Sequence, residues 1–264
     1  MNYIELLGYF SALFIGVVVG IFGGGGSILA VPVFVYLFHL NPILATSYSL
    51  FVVGFSAAVG TLINIKKKLI NYKTAFIFSL PALFSVFLVR LYFISVIPEV
   101  IFETGSIFIT KKMALMLLFS VVILLSSVSM LKKNEPVIAQ KLNNTNYSLL
   151  TFIGLGVGIL TGLIGAGGGF IIVPALVLFA NLKIKNAVAT SMVIITVNAL
   201  FGFCSDISQI NIDWFFLIII TFISILGIIL GSYLSNFVND QSLKKNFARF
   251  IFLIALVIIY NELG

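Results

Sequence analysis

Ten apolar runs, separated by short polar breaks, leave this chain almost no surface suited to water. They are Tyr3–Phe22, Ile28–Leu40, Ile43–Ile65, Thr74–Ile97, Met113–Leu131, Tyr147–Ile164, Phe170–Ala180, Ala187–Ser205, Trp214–Phe237 and Phe247–Tyr260. A helix needs about 20 apolar residues, at ~1.5 Å each, to cross roughly 30 Å of hydrocarbon. Most of the runs meet that length with some tilt; the second and seventh do not. The chain is 61% hydrophobic and 9% charged, with a mean hydropathy of +1.23, whereas ordinary globular domains run about 45–50% apolar and about 25% charged. That balance excludes disorder, a secreted disulfide scaffold and almost any soluble enzyme. The single cysteine, Cys204, and the single histidine, His39, make no metal constellation, so no metal and no cofactor is expected. A net charge of +7 reads as loop charge on a membrane protein, with the lipid bilayer as partner and no nucleic acid. Met1 to Glu5 carries no basic signal region, so the first run is expected to be a retained span.

The runs fall into two copies. Gly16, Gly20, Gly23, Gly25, Gly26 and Pro32 recur as Gly158, Gly162, Gly165, Gly167, Gly168 and Pro174, all shifted by 142 positions. Ala45-Thr46-Ser47 recurs as Ala189-Thr190-Ser191, and Ile70-Asn71 as Ile210-Asn211. One such match is weak because glycine is common in membrane helices. Six at one offset, followed by the others in order, mark a structural repeat. The expected organisation is a first transmembrane repeat over 1–131, a polar cytoplasmic linker over 132–146 and a second repeat over 147–264.

Charge orients the copies. Of the 15 Lys and Arg residues, ten alternating segments leave only Arg90, Lys111 and Lys112 on one side. The side that holds Lys66 to Lys68, Lys141, Lys183 and Arg249 is therefore expected to be cytoplasmic. Both termini then lie outside a cell (inner) membrane, in a multi-pass arrangement. Five segments per copy is an odd number, so the repeats are inverted. The fold class expected is an all-α integral membrane protein of two inverted five-segment repeats, with Gly-rich broken or re-entrant helices and 8–10 membrane segments.

The chemistry is expected at the two glycine runs, Gly23-Gly24-Gly25-Gly26-Ser27 and Gly165-Ala166-Gly167-Gly168-Gly169. Without side chains the backbone reaches positive φ and lets a ligand approach closely. Pro32 and Pro174 suit a first helical turn, which predicts about eight unwound residues before each. Lipid cannot satisfy those backbone groups, so they must be buried in protein or line a wet cavity. Interrupted short segments at matching places in two repeats point to a transporter site. Two such breaks entering from opposite sides are expected to converge near the midplane, offering N–H groups to a small anionic substrate. Thr46, Ser47, Thr190, Ser191 and the mid-span amide Asn198 would complete the site. The competing roles are close helix packing, which suits Gly16-x-x-x-Gly20 and Gly158-x-x-x-Gly162, and hydroxyls bonded to their own helix carbonyls.

Charged side chains offer less: all 8 Asp and Glu residues lie at segment ends or in loops, and Arg90 is expected to snorkel to the interface, with a functional intramembrane cation as the alternative. A serine hydrolase is weighed and set aside. Twelve helical residues would hold Ser27 and His39 about 18 Å apart, and Gly169 stands where the second copy would need the serine. No catalytic residue is expected.

The doubled pattern Gly16-x3-Gly20-x2-Gly23-Gly24-Gly25-Gly26-Ser27-x4-Pro32, followed by Ala45-Thr46-Ser47 and repeated from Gly158 to Ser191, resembles the TauE/SafE sulfite-exporter-like permeases. The first copy has Ser85 and Val89 where the second has Gly227 and Gly231, a departure that bears on packing of the fourth helix. The resemblance implies a permease for sulfite, a sulfonate or a sulfoacetate-like anion. Export driven by membrane potential is the expected mode. Proton-coupled anion uptake and a non-transporting scaffold subunit are the alternatives, and a homo-oligomer is compatible with the sequence.

Overall fold

The computed structural model describes residues 3–23, 27–93, 98, 100–104, 107–131, 147–165, 167–208 and 210–263. The linker expected over 132–146 lies outside these residues, as do Gly24, Gly25, Gly26 and the last residues of the fourth expected run. In chain order the helices are α1 (Tyr3–Phe22), α2 (Ser27–Pro32, continued by a wider π turn over Val33–Leu37), α3 (Pro42–Lys66) and α4 (Tyr72–Leu88, with a π turn over Val89–Phe93). They continue as α5 (Lys111–Leu131), α6 (Tyr147–Ile164), α7 (Gly169–Phe179), α8 (Ile184–Asp206), α9 (Trp214–Leu234) and α10 (Asp240–Leu263). Among the described residues, 5 of these are long and apolar enough to cross a membrane. One addition was not expected. A short antiparallel hairpin, β1 (Val100–Thr104) with β2 (Ile107–Thr110), fills the connection between α4 and α5.

Local chemistry sets the helix starts. Asn41, Asn71 and Asp213 each cap a helix, accepting from Ile43 N at 3.1 Å, Thr74 N at 3.1 Å and Phe216 N at 3.1 Å. Pro42 sits at the first position of α3, where its missing N–H is no loss. Pro32 and Pro174 do not start their helices. Both lie inside, because α2 begins at Ser27 and α7 at Gly169. Ile28, Ala30, Val31, Ile172 and Val173 are buried, and helical bonding satisfies their backbone where water cannot. Unwinding eight such residues would leave more polar groups unpaired than one proline does.

The two halves interleave. α1 packs along α9 and α6 along α4; α3 meets α9 while α8 meets α4; α3 packs on α8 and α5 on α10. Exchanging the first five helices with the second five maps this pairing onto itself. Helices of one copy therefore bury their faces mainly against the other copy. The exterior is apolar: Phe215 is 79% exposed and Tyr260 78%. The interior holds hydroxyls, amides and charge, among them Ser47, Ser56, Asn64, Arg90, Asn198 and Asp206. An apolar outside around a polar inside suits hydrocarbon as solvent.

Candidate functional site

The site grows from the seam between α3 and α8, which run antiparallel. Thr61 faces Thr196 at 3.5 Å, and the Asn64 amide donates to the Met192 sulfur at 3.2 Å. At the other end Ser47 meets Asp206. The first turns of the two helices therefore lie at opposite ends of the seam, roughly 20 Å apart at ~1.5 Å per residue.

Each glycine break lies against the start of the other copy's third helix. Gly23 has φ +63°, and a Cβ there would collide with Val188. Its carbonyl accepts from Ser191 Oγ at 3.0 Å. Gly165 has φ +70°, and a Cβ there would collide with Thr46 and with Arg90 Nη2. Gly23 and Gly165 thus do not converge at the midplane; the antiparallel seam holds them apart. Among the described break residues, Gly167 (φ +65°) reaches the middle of the seam, where a Cβ would lie 3.0 Å from Val53 Cγ1 and 3.4 Å from Ile195 Cγ2. Gly168 (φ +73°) packs on Thr161, and Gly169 and Ser27 are the first residues of their helices.

The hydroxyls divide by partner. Thr46 Oγ1 donates to its own helix at Ile43 O, 2.8 Å, and Ser191 Oγ also reaches Val188 O at 2.8 Å. Thr190 Oγ1 accepts from Asn71 N at 3.0 Å. These are structural bonds, the role that competes with ligand binding for such residues. Asn198 differs. It is 1% exposed, and neither its amide nitrogen nor its amide oxygen has a partner among the described residues. A buried amide left unpaired is costly. Such a group has hydrogen-bonding capacity to offer water or a ligand.

The largest correction concerns charge. Arg90 does not snorkel to an interface; its side chain is 0% exposed. It pairs with Asp206, Nη1 to Oδ2 at 2.6 Å, across 116 residues of sequence. Ser47 Oγ hydrogen-bonds the same carboxylate oxygen and lies 3.4 Å from Arg90 Nη1. Asp206 is the last residue of α8, the segment end expected of it, yet it is enclosed by protein. A guanidinium surrounded by helices must find a counter-charge, because burying it alone costs far more than one pair can lose. The signal was present in the sequence: the ends of the fourth and eighth runs fall on the same expected side, and each carries one charge of opposite sign.

At the far end of the seam a small open cleft of about 40 Å³ is lined by Gly20, Asn64, Lys67, Lys185, Val188 and Ser232 among others. Lys67 Nζ donates to Ser232 O at 3.2 Å and to Asn236 Oδ1 at 3.0 Å, a cation on the C-terminal carbonyls of α9. In repeat register Ser232 is the counterpart of Arg90. Each end of the bundle therefore carries a cation at the place where a third helix meets the other copy's fourth.

Comparison with known proteins finds a family and several relatives. The family described as Sulfite exporter TauE/SafE matches residues 9–258. A probable membrane transporter protein of Bacillus subtilis (strain 168) is 25% identical, covering 94% of this chain and 95% of its own length. One from Xylella fastidiosa (strain 9a5c) is 24% identical over 94% and 92%. Another, from Methanocaldococcus jannaschii, is 30% identical over 72% of this chain and 68% of its own. No solved structure matches the chain.

Proposed function

Since the chain belongs to the sulfite exporter TauE/SafE family and is a multi-pass membrane protein, we propose that it is a permease for a small sulfur-containing anion such as sulfite, a sulfonate or a sulfoacetate-like compound. The observation that carries this reading is Asn198, a buried amide in the middle of α8 with no partner among the described residues. Its N–H groups offer hydrogen bonds to an oxyanion passing along the α3–α8 seam, and Gly167 keeps the backbone beside Val53 and Ile195 free of side chains. Lys67 and Lys185 give the cleft at one end a positive lining that favours anion entry. The charge asymmetry of the loops supports a cytoplasmic position for that end, with both termini outside. The interleaved pairing supports two copies inverted in a cell membrane.

Export follows from the energetics. A single negative charge leaving a cell that is negative inside gains about 2.3 kcal/mol per 100 mV. Asp206 is neutralised by Arg90, so the anion itself is the net charge that moves. In proteoliposomes loaded with sulfite, a potential negative inside should speed efflux, and Asn198→Leu should raise the half-saturating concentration about tenfold. Efflux indifferent to the potential, or untouched by Asn198→Leu, overturns the proposal. One observation favours a second reading, proton-coupled uptake: Asp206 is a carboxylate enclosed within the bundle, where a proton can be carried. Flux that follows ΔpH and ignores the potential selects it.

A further inference from the structure

Arg90 holds hydrogen-bonding capacity that the protein leaves unused. Among the described residues only Nη1 is engaged, by Asp206 at 2.6 Å and by Ser47 at 3.4 Å. Nε and Nη2 are buried and have no partner among those residues. These two nitrogens form one side of the planar guanidinium, and their N–H bonds point the same way. That edge is the one which grips two oxygens of a single carboxylate or oxyanion at once. Two buried charge-bearing donors cannot stay empty cheaply, so the edge favours an occupant that accepts from both.

A glycine, not a side chain, lies against that edge. Any side chain at Gly165 would collide with Nη2, and the residue's φ of +70° suits glycine. Asp206 faces Nη1 on the other side and is held there by Ser47. The carboxylate thus fixes the guanidinium without covering the free edge. The four groups come from both copies: Ser47 and Arg90 from the first, Gly165 and Asp206 from the second. At the opposite end of the seam the corresponding position, Ser232, holds the Lys67 ammonium through its carbonyl, so a cation stands at each end of the route.

Resting on the permease reading above, we infer that the Nε–Nη2 edge of Arg90 is a binding subsite for the transported anion at the end of the seam remote from the Lys67 cleft. Two terminal oxygens of a sulfite or sulfonate group accept from Nε–H and Nη2–H, while Asp206 stays on Nη1. The carboxylate does two things there. It neutralises Arg90 when the subsite is empty, and its repulsion keeps the anion from binding too tightly to leave.

The test uses the full-length protein, with methanesulfonate and sulfite as probes. Binding is read as ligand-dependent thermal stabilisation against chloride at equal ionic strength, and flux is read in proteoliposomes. Arg90→Lys keeps the charge but loses the two-pronged edge, so half-saturation should rise about tenfold or more in both assays. Asp206→Asn leaves Arg90 charged and removes the repulsion, so binding should tighten by about threefold or more. Arg90→Gln/Asp206→Asn removes both charges together and should abolish saturable binding. Wild-type affinity in Arg90→Lys or in the double variant overturns the subsite. If Arg90→Lys does not fold, unchanged or weaker binding in Asp206→Asn overturns it instead. Wild-type flux with unaffected variants sinks the subsite alone. Wild-type binding that the variants lose, without any flux, sustains the subsite and sinks the permease reading. Neither flux nor binding in the wild type sinks both.

Discussion

Glycine seams set the stability of this bundle, and the two matching seams are not built alike. Where α1 meets α9, both helices contribute glycine. A Cβ on Gly16 would lie 2.9 Å from Gly227 Cα and 2.9 Å from Ile228 N. A Cβ on Gly227 would lie 2.9 Å from Gly16 Cα and 2.9 Å from Val17 N. Each would also strike a backbone carbonyl, of Ser224 and Leu13 respectively. All of these obstacles are main chain and cannot rotate away. Relieving them requires the two helices to separate by roughly 1 Å, which forfeits a quarter to a half of the dispersion energy of every atom pair along the seam. We expect Gly16→Ala and Gly227→Ala each to cost about 3 kcal/mol, at the upper end of ordinary overpacking.

In the matching seam, between α6 and α4, the difference comes one turn on, at the counterpart of Gly20: a Cβ on Gly162 would meet Val89 side-chain atoms at 3.0 Å and Val86 Cα at 3.3 Å, whereas one on Gly20 would meet main chain of Ser232 and Gly231 at 2.7 Å and 2.9 Å. A valine side chain can give by a few tenths of an ångström, so Gly162→Ala should cost about 1 kcal/mol or less. Gly156→Ala, where a Cβ meets nothing within 4 Å, should be neutral or stabilising by up to about 1 kcal/mol through helix propensity. The assay is thermal unfolding of purified protein in detergent. The single tryptophan, Trp214, opens α9 with its ring 6.1 Å from those of Phe51 and Phe203, and its fluorescence reports the transition. At about 2–4 °C per kcal/mol for a chain of this size class, Gly16→Ala and Gly227→Ala should each lower the midpoint by about 6–12 °C. The double variant should lose less than the sum, because the first methyl has already opened the gap for the second. Equal midpoints for Gly227→Ala and Gly156→Ala would refute the reasoning, as would full additivity in the double variant.

Other outcomes follow from the same contacts. Gly165→Ala should reduce anion flux to near background while protein remains in the membrane, since it combines a left-handed backbone penalty of about 1–2 kcal/mol with collision against Thr46 and Arg90; wild-type flux would refute this. Ser47→Ala should destabilise by about 1.5–3 kcal/mol because its hydroxyl bonds a carboxylate, whereas Ser191→Ala, whose acceptors are the neutral carbonyls of Gly23 and Val188, should cost about 1 kcal/mol. Thermal midpoints rank the two, and the reverse order counts against the Asp206 assignment. Single-cysteine labelling at positions 67 and 141 in intact cells should reach neither site with an impermeant reagent and both after permeabilisation. Labelling of either site from outside would reverse the orientation.

Much of this architecture was legible in the amino-acid order because hydropathy and spacing are local properties. Tyr3–Phe22 and Tyr147–Ile164 form helices with the bounds their apolar runs define, and Gly23, Gly165, Gly167 and Gly168 occupy the positive-φ conformations that glycine permits. The repeat, read from matching residues, foreshadowed the exchange symmetry of the packing. What the tertiary structure alone decided is which distant groups meet. Periodicity could not tell that Pro32 and Pro174 lie within helices, since that balance depends on how thoroughly Ile28 and Ile172 are buried by neighbouring helices. Nor could it tell that Arg90 turns inward. A lone arginine near a helix end is equally suited to water or to a carboxylate, and only the packing of α4 on α8 brings Asp206 within 2.6 Å. The same packing holds Gly23 and Gly165 at opposite ends of the α3–α8 seam, because antiparallel helices place like-numbered turns at opposite ends.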